Sequence, residues 1–276
     1  MTRDNETLTV YVPASSFPAV SVTGTGCDQM CEHCKGSHLK GMLHIESGDG
    51  MIRLVDEIVN SGGTGILVSG GCDVRGKVPL QKTEDAIRYA AGKGLKVNVH
   101  AGLIDQKEAE RLVSAGVCAF SVDVHQDPDI IRNVLHLDAD PSVYTDTVDN
   151  ITKAGGRAVA HLTVGFGTVD LVLSADLVKK KGLKDVILLA LVPTKGTITE
   201  NSLVSEDAIV DSAKVLIGEG FNVTLGCMRP RVHRDLEIRC IQAGVRNIAN
   251  PSRGTISWAR ENRFNVVEKR TCCCIK

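Results

Sequence analysis

The sequence of 276 residues is poor in aromatic side chains and has almost no net charge. Phe, Trp and Tyr make up 3% of it, so its core must be built from Val, Ile, Leu and Ala. The 32 basic residues nearly balance the 33 acidic ones, and no basic run gives electrostatic support to nucleic-acid or membrane-surface binding. No apolar stretch approaches the length of a membrane span, and the amino terminus lacks a signal-peptide core.

What the chain does have is cysteine, ten residues in all. Their clustered spacing indicates metal ligation in a reducing cytoplasm rather than the disulfides of a secreted protein. Cys27, Cys31 and Cys34 follow the pattern C-x3-C-x2-C. Three thiolates suit a [4Fe-4S] cluster but leave one iron open to a small molecule. A zinc site without its fourth ligand and buried structural thiols are the alternatives.

Short β-branched runs alternate with amphipathic helical stretches along the chain. This pattern predicts a parallel sheet covered by helices on its outer face. Eight strand–helix units in about 250 residues predict the α/β class and a single (β/α)8 TIM-type barrel. The expected strands are Ala19–Gly26, Gly65–Gly71, Lys96–Gly102, Ala119–His125, Arg157–Phe166, Asp185–Val192, Asn222–Met228 and Asn247–Ala249. The expected helices are Met51–Ser61, Thr83–Lys93, Gln106–Ala115, Val143–Ala154, Ala175–Lys181, Glu206–Glu219 and Leu236–Ala243.

We expect three segments: a short amino-terminal segment over residues 1–18, the barrel over 19–262 and a cysteine-rich tail over 263–276. In barrels of this kind, chemistry lies where the carboxyl ends of the strands meet the following loops. Polar and Gly-rich residues follow most of the expected strands, which predicts a single active mouth at that rim.

The spacing of Cys27, Cys31 and Cys34 resembles the signature of radical S-adenosylmethionine (SAM) enzymes. His33 stands where that superfamily usually places an aromatic ring. In the superfamily, the open iron chelates SAM, and one-electron reduction cleaves SAM to a 5'-deoxyadenosyl radical. The resemblance therefore implies SAM as a cofactor and an external one-electron reductant as a partner.

Gly70-Gly71 resembles the first two residues of the Gly-Gly-Glu motif in this family, whose backbone contacts the amino group of SAM. Cys72 replaces the glutamate. A tight βα turn without a ligand is the alternative for the two glycines. Asp123 and His125 lie two apart on one strand face, at the height where biotin synthase-like members contact the SAM ribose. An aspartate that caps a helix is the alternative for Asp123.

Nearly the whole chain resembles the biotin synthase and lipoyl synthase branch. We expect Gly165, at the end of the fifth strand, to contact the cofactor. Arg229 falls where an arginine of biotin synthases contacts a second cluster. The cysteines that share that [2Fe-2S] cluster are not reproduced, so we do not expect it here. The matching strand positions carry Asn98, Val122 or Asp123, and His161.

A second group of cysteines stands at the carboxyl end. In an extended tail, Cys272 and Cys274 point the same way, with Cys273 between them. Together with Cys72 and Cys227, they predict ligands for an auxiliary [4Fe-4S] cluster, with the tail folded back over the rim. A disordered end with surplus thiols is the alternative.

The run Cys31–Met42 and the cysteine-rich tail most closely resemble the archaeal-type, two-protein lipoyl synthases. This implies sulfur insertion into an octanoyl chain on a carrier-protein lysine, with the auxiliary cluster as sulfur donor and a related radical SAM protein as partner. One alternative is another biotin synthase-like radical reaction, such as C–H activation, rearrangement or cofactor maturation, without sulfur insertion. An iron–sulfur electron-transfer or scaffold protein is the other. We interpret Cys118 and Cys240 as structural core positions.

Overall fold

The structure is a computed structural model that describes residues 6–45 and 47–275. Residues 1–5 of the expected amino-terminal segment and residue 276 of the expected tail lie outside the described part. The strands are β1 Thr7–Tyr11, β2 Ala19–Ser21, β3 Leu43–His44, β4 Gly65–Ser69, β5 Lys96–Val99, β6 Val117–Asp123, β7 Ala158–Val164, β8 Asp185–Ala190, β9 Asn222–Leu225, β10 Asn247–Ala249 and β11 Asn265–Lys269. The helices are α1 Gly48–Asn60, α2 Glu84–Gly92, α3 Gln106–Ser114, α4 Ser142–Lys153, α5 Thr168–Lys180, α6 Glu206–Gly218, α7 Leu236–Gln242 and α8 Arg253–Glu261.

All eleven strands form one parallel, curled sheet in the order β11-β1-β10-β9-β8-β7-β6-β5-β4-β2-β3. The eight predicted strands correspond to β2 and to β4 through β10, which confirms the α/β, TIM-type fold class. The hydrogen-bonded order begins at β11 and ends at β3, so the sheet of the described residues is open between those two edges.

Three strands were not predicted, and all three lie at the ends of the sheet. The strand β1 pairs with β10, where Thr9 is opposite Asn247, and β11 then pairs with β1. The strand β3 has only two residues, both exposed, and β11 has only exposed or half-buried residues. Edge strands of this kind lack the continuous apolar run that marks a strand buried on both faces. The amino-terminal segment thus extends the sheet instead of standing apart from the barrel.

Most helices begin and end as the sequence predicts. The Ser47 side chain accepts a hydrogen bond from the Gly50 amide at 3.1 Å, and Ser205 caps α6 in the same way. Gly116 and Gly244 follow α3 and α7 with φ of +92° and +111°, values that favour glycine. The helix α5 begins well before the predicted start, and α8 was not predicted. The glycines that precede α5 resemble a loop, which obscured its first two turns.

The main core fills the layer between the sheet and its helices, while a smaller cluster fills the interior of the curled sheet. The interior cluster includes Phe17, Val159 and Ile187 from the barrel, together with Cys274 and Ile275 from the tail. Strand residues that face inward alternate with residues that face the helices, so one strand serves both layers. The tail is therefore part of the interior packing.

The tail enters the barrel from the amino-terminal ends of the strands. Thr64, just before β4, donates a hydrogen bond from Oγ1 to the Arg270 carbonyl, and Arg157, just before β7, donates one to the Cys274 carbonyl. The expectation that the tail folds back over the opposite rim is therefore wrong. After it leaves β11, the chain contacts the residue before β4 and the residue before β7, so it lies at the bottom of these strands rather than at the mouth.

Candidate metal centres

The first cysteine group lies in the loop between β2 and β3, at the carboxyl end of β2. One ligand atom each from Cys31, His33 and Cys34 lie within 4.8 Å of one another. Cys27 falls outside that tight group but stands in the same loop. Cys31 is buried, and its Sγ lies 3.6 Å from the Leu135 carbonyl oxygen. Two thiols and an imidazole thus converge at the carboxyl end of β2, with Cys27 in the same loop.

The thiols of Cys31 and Cys34 are hydrogen-bonded to each other, and their pKa values shift in opposite directions. The hydrogen bond with Cys31 lowers the pKa of the Cys34 thiol to about 4. Burial opposes this shift, and His33 adds to it. The same hydrogen bond, followed by burial, raises the pKa of the Cys31 thiol. Within the described part of the chain, the buried Nδ1 of His33 has no hydrogen-bond partner. A stabilised thiolate beside further thiols is a donor set that fits a thiolate-ligated iron–sulfur group.

Gly71 packs directly against this loop. A Cβ at Gly71 would lie 1.9 Å from the carbonyl oxygen of Gly26 and 2.6 Å from the Cα of Cys27. The Gly71 amide donates a hydrogen bond to Thr23 Oγ1 at 2.7 Å. Gly70 is less restricted, since its Cβ would find its nearest atoms at 3.2 Å, in Thr23 and the residue before it. The Gly-Gly pair therefore brings the end of β4 into backbone contact with the cysteine loop.

Cys72 lies beside the first cysteine group rather than with the tail. Its carbonyl oxygen accepts a hydrogen bond from the Asp28 amide at 2.9 Å. Burial, followed by the charge of Cys27, raises the pKa of its thiol to about 12. The expectation that Cys72 joins the tail cysteines as a ligand is not supported by this placement, because the turn after β4 holds it against the loop after β2.

A row of rings connects the first cysteine group with the end of β6. The Phe166 ring stands edge-on to His33 and to His125, with centroids 5.0 Å apart in both pairs, and His125 is also edge-on to Tyr144 at 5.7 Å. His125 is 5% exposed, and its Nδ1 lies 2.9 Å from Oδ2 of Asp170. The contacts of His125 thus fix its ring in place beside Phe166.

Gly165 lines a cleft beside the loop that carries Cys31, His33 and Cys34. Its φ is +119°, and a Cβ there would lie 2.9 Å from the side chain of Val204, so only glycine fits without strain. The cleft has a volume of about 210 Å³. It adjoins the cysteine loop because Thr199, on its wall, donates a hydrogen bond to the His33 carbonyl at 3.3 Å. The lining residues are Ile130, Val134, Gly165, Phe166, Leu191, Ile198, Thr199, Ser202 and Val204.

Asp123, at the end of β6, holds two histidines in the barrel interior. Its Oδ2 lies 3.0 Å from Nε2 of His100, and its Oδ1 lies 3.3 Å from Nδ1 of His161. Burial by itself would raise the pKa of the Asp123 carboxyl, but His100 and then His161 hold it well below its usual value. The Asp123 side chain is 45% exposed, so it lines an accessible space inside the barrel. The alternative of a helix-capping aspartate is not what the structure shows.

The second cysteine group is the tail triplet in the interior of the sheet. The Sγ atoms of Cys272, Cys273 and Cys274 all lie within 4.8 Å of one another. Hydrogen bonds within the triplet lower the pKa of the Cys272 thiol well below its usual value and raise that of Cys273. Asn98 Nδ2 lies 3.3 Å from Cys272 Sγ. Three gathered thiols with one stabilised thiolate again fit an iron–sulfur group.

Two further side chains hydrogen-bond to the triplet from the strands. Ser121 Oγ donates to Cys274 Sγ at 3.3 Å, and His161 Nε2 lies 3.4 Å from the same sulfur. Neither Asn98 nor Ser121 was predicted to contact the tail, and both are fully or almost fully buried, on β5 and β6. Their position inside otherwise apolar strands could have indicated a contact, because a buried polar side chain is stable only where it has a hydrogen-bond partner.

Cys227 and Arg229 follow β9 but differ in what they contact. Cys227 is exposed to solvent on one side. The protein that surrounds the rest of it raises the pKa of its thiol, and the charge of nearby Cys272 adds to this effect. Arg229 is buried, and its guanidinium pairs with Glu237 and donates to the carbonyls of Ala249 and Asn250. The expected cofactor contact of Arg229 is therefore replaced by a structural role, because its donors hold together the segments that flank α7 and α8.

Comparisons with known proteins agree with this geometry. The model of the radical SAM superfamily matches residues 21–171, more than half of the chain and including all three spaced cysteines and the segment after β4. The chain belongs to the radical SAM superfamily. Membership implies a [4Fe-4S] cluster and SAM, and it makes the protein a radical SAM enzyme.

The curated relatives of this radical SAM protein are biotin synthases. It is 25% identical to the biotin synthase of Synechococcus sp. (strain CC9605) over 189 residues, which cover 64% of this chain and 55% of the relative. It is 22% identical to that of Pseudescherichia vulneris over 241 residues, or 83% of this chain and 69% of the relative. The first match thus spans little more than half the length of that relative.

Among solved structures, methylornithine synthase (PylB) has the same fold. The TM-score is 0.65 at 14% identity, over 90% of this chain and 74% of that one. At this identity the likeness concerns the fold alone. In the described residues, no helix has both the length and the apolar character to cross a membrane.

Proposed function

We propose that this radical SAM enzyme inserts sulfur into an octanoyl-lysine chain, as one component of a lipoyl synthase. The observation that carries the proposal is the presence of two separate cysteine groups, one in the loop at the carboxyl end of β2 and one in the barrel interior. The charge of Asp123 affects the thiol of Cys72 beside the first group, while its partner His161 contacts Cys274 of the second. The space around Asp123 thus lies between a site for radical formation and a site for sulfur.

Cys27, Cys31 and Cys34 would hold the first cluster, which supplies an electron that cleaves SAM to the 5'-deoxyadenosyl radical. Around it, the chain's own residues do the positioning. Gly71 fixes the end of β4 against Cys27 through backbone contact, which leaves main-chain groups near the loop free of side-chain obstruction. The thiolate of Cys34 is stabilised before any metal arrives, so this loop is prepared for iron.

The cleft beside Phe166 is the proposed position for the adenosine part of SAM. Its wall is mainly apolar, and Gly165 keeps it open because a side chain there would meet Val204. Phe166 is itself held edge-on between His33 and His125. A flat aromatic ligand stacks well against such fixed rings. Excluding water from this region protects a reactive radical from side reactions.

The tail triplet would hold the second cluster, which would supply a sulfide to the carbon from which the 5'-deoxyadenosyl radical removes a hydrogen atom, with cluster iron accepting the remaining electron. Cys272, Cys273 and Cys274 gather at the depth of Asn98 and Ser121, well inside the sheet. A sulfur source buried there is reached by a narrow, flexible acyl chain rather than by a bulky substrate. This is why an octanoyl chain, presented on a lysine of a carrier protein, is the substrate that we propose.

The remaining partners follow from the same chemistry. We propose an external one-electron reductant, an octanoylated carrier protein and a related radical SAM protein that shares the two sulfur insertions. A reducing cytoplasm is the compartment in which clusters on exposed or half-buried thiolates persist.

The proposal is tested by counting clusters and products together. We expect protein reconstituted without oxygen to bind two [4Fe-4S] clusters, or about eight iron atoms per chain, and the Cys272→Ser/Cys273→Ser/Cys274→Ser variant to bind about half of that. With SAM, reductant and an octanoyl-lysine peptide, with or without a related partner protein, the wild type should form 5'-deoxyadenosine and a peptide heavier by sulfur.

Other outcomes separate the alternatives. Formation of 5'-deoxyadenosine with a single cluster, and with the tail cysteines replaceable without loss, would point to a radical SAM reaction without sulfur insertion. If strong reductant released no 5'-deoxyadenosine at all, the protein would be an electron-transfer or scaffold protein instead.

A further inference from the structure

The side chain of His161 lies between the tail cysteines and the carboxylate of Asp123. Its Nε2 is 3.4 Å from Cys274 Sγ on one side, and its Nδ1 is 3.3 Å from Asp123 Oδ1 on the other. The His161 side chain is 13% exposed, and its Nδ1 has no geometrically complete hydrogen bond among the described residues. The ring is thus positioned by Cys274 on one side and Asp123 on the other.

The tail triplet needs a fourth ligand if it holds a cubane cluster. Three cysteines bind three of the four irons, and the last iron takes another protein group or stays open. Three side chains from the strands hydrogen-bond to the tail sulfurs, those of Asn98, Ser121 and His161. An amide nitrogen and a hydroxyl are poor ligands for iron, whereas a neutral imidazole nitrogen is a good one.

The position of Asp123 supports a ligand role for this imidazole. A histidine that binds a metal through one ring nitrogen almost always directs the other nitrogen to a carboxylate, a carbonyl or water, which fixes its tautomer and orientation. Asp123 faces Nδ1 of His161 and leaves Nε2 directed at Cys274. His100 occupies the other oxygen of the same carboxylate at 3.0 Å and so holds Asp123 in position.

We propose that His161, through Nε2, is the fourth ligand of the tail cluster, with Asp123 as its positioning residue. This rests on the proposed function, since it requires the cluster on Cys272, Cys273 and Cys274. A neutral histidine in place of a thiolate removes one negative charge from the site. Histidine ligation raises the reduction potential of an iron–sulfur centre for this reason. A neutral nitrogen ligand would also distinguish its iron from the three held by thiolates.

Two other cysteines are the rivals for this role. Cys118 packs against the interior cluster, but its thiol donates a hydrogen bond to the Val97 carbonyl at 3.0 Å and so points at the backbone. Cys227 is near Cys272 but is exposed, and the structure records no hydrogen bond between the two sulfurs. Among the described residues, His161 therefore has the more direct contact with the triplet.

The test uses full-length protein in which Cys27, Cys31 and Cys34 are changed to Ala, so that only the tail cluster forms. Pulsed electron paramagnetic resonance of the reduced cluster then measures coupling to nitrogen nuclei. We expect a strong coupling, of the size given by a directly bound imidazole. It should be lost in the His161→Cys variant, which keeps its iron and has a lower reduction potential. The matched control is His100→Gln, which shares Asp123 but should keep the strong coupling.

The outcomes separate this inference from the function on which it rests. If the triple Ala background binds a cluster that shows only the weak coupling of hydrogen-bonded nitrogen, or one that changes in Cys227→Ser but not in His161→Cys, the ligand assignment is wrong and the second cluster stands. If this background binds no cluster, while wild-type protein binds one, both the second cluster and the assignment of His161 are overturned.

Discussion

A Cβ added at Gly71 would collide with the backbone of the loop that carries Cys27, Cys31 and Cys34. Carbonyl oxygen and Cα atoms at 1.9 and 2.6 Å cannot move aside as a flexible side chain could. We expect Gly71→Ala to displace the loop, to cost about 1–3 kcal/mol of stability as overpacking does, and to lose most of the iron of the first cluster. Iron analysis after anaerobic reconstitution measures this.

Gly41→Ala is the matched control for that substitution. Gly41 ends the same loop region, has no positive φ, and its Cβ would meet no atom within 4 Å. It should therefore bind iron as the wild type does. Equal iron content in the two variants would show that close packing at Gly71 does not shape the cluster loop.

Asp170 supports the segment after β6. Its Oδ1 accepts hydrogen bonds from the amides of Gln126 and Asp127 at 2.7 and 3.0 Å, while Oδ2 faces His125. We expect Asp170→Asn to lower the free energy of unfolding by about 1–3 kcal/mol, since it leaves buried donors poorly paired. Anaerobic urea unfolding measures the loss, and Asp146→Asn, at an exposed position on α4, is the control.

The same carboxyl has a defined pH dependence. Burial alone would raise the pKa of Asp170, but its hydrogen bonds, first to His125, lower it in the folded protein. A lowered folded pKa means that the stabilisation is present above the unfolded value near 4 and is lost as pH falls through the folded value. Between pH 5 and about 3, the wild type should therefore lose more stability than Asp170→Asn. Parallel curves for the two proteins would contradict this.

Individual residues differ in how far the sequence could predict them. The spacing of Cys27, Cys31 and Cys34 is local, so the sequence alone indicated a shared metal site. The partners of Asp123 come from β5 and β7, and no local pattern shows which strands will be adjacent at that depth. The engagement of Arg229 with Glu237 likewise depends on how α7 packs, which a likeness in sequence position could not reveal.

Among the elements, the tail after β11 differs most from its prediction. The eight central strands are mostly apolar and were therefore predictable, whereas β1 has only five residues and β11 is an edge strand without a buried residue. The tail enters from the amino-terminal ends of the strands, where Thr64 and Arg157 hydrogen-bond to it. These contacts join residues that are far apart in the chain, so the sequence left the direction of the tail undetermined.

Arg157 holds the tail in place through its hydrogen bond to the Cys274 carbonyl. A hydrogen bond from a charged donor contributes about 1.5–3 kcal/mol, so Arg157→Ala should raise the open fraction of the tail by about tenfold or more. Amide hydrogen exchange of residues 270–275 in reconstituted protein measures it. In Arg88→Ala, which removes an arginine–carbonyl bond on α2, exchange of the tail should not change. An unchanged tail in Arg157→Ala would contradict the anchoring role.

For the whole molecule, the decisive feature is that two cysteine groups approach one interior from opposite ends. The loop after β2 enters from the mouth, and the tail enters from the amino-terminal ends of the strands. Asp123 lies between them, since its charge affects Cys72 beside the first group and its partner His161 contacts Cys274 of the second. Under the proposed function, radical formation and sulfur supply would take place on either side of a single substrate position.

The most direct test of this arrangement follows the sulfur atom itself. Protein reconstituted with sulfide of a heavy sulfur isotope is given SAM, reductant, the octanoyl-lysine peptide and, in a parallel sample, a related partner protein, and the peptide is weighed by mass spectrometry. We expect heavy sulfur in the peptide, and 5'-deoxyadenosine without peptide sulfur when Cys272, Cys273 and Cys274 are all Ser. Wild-type protein that forms 5'-deoxyadenosine but leaves the peptide free of heavy sulfur in both samples would contradict the account.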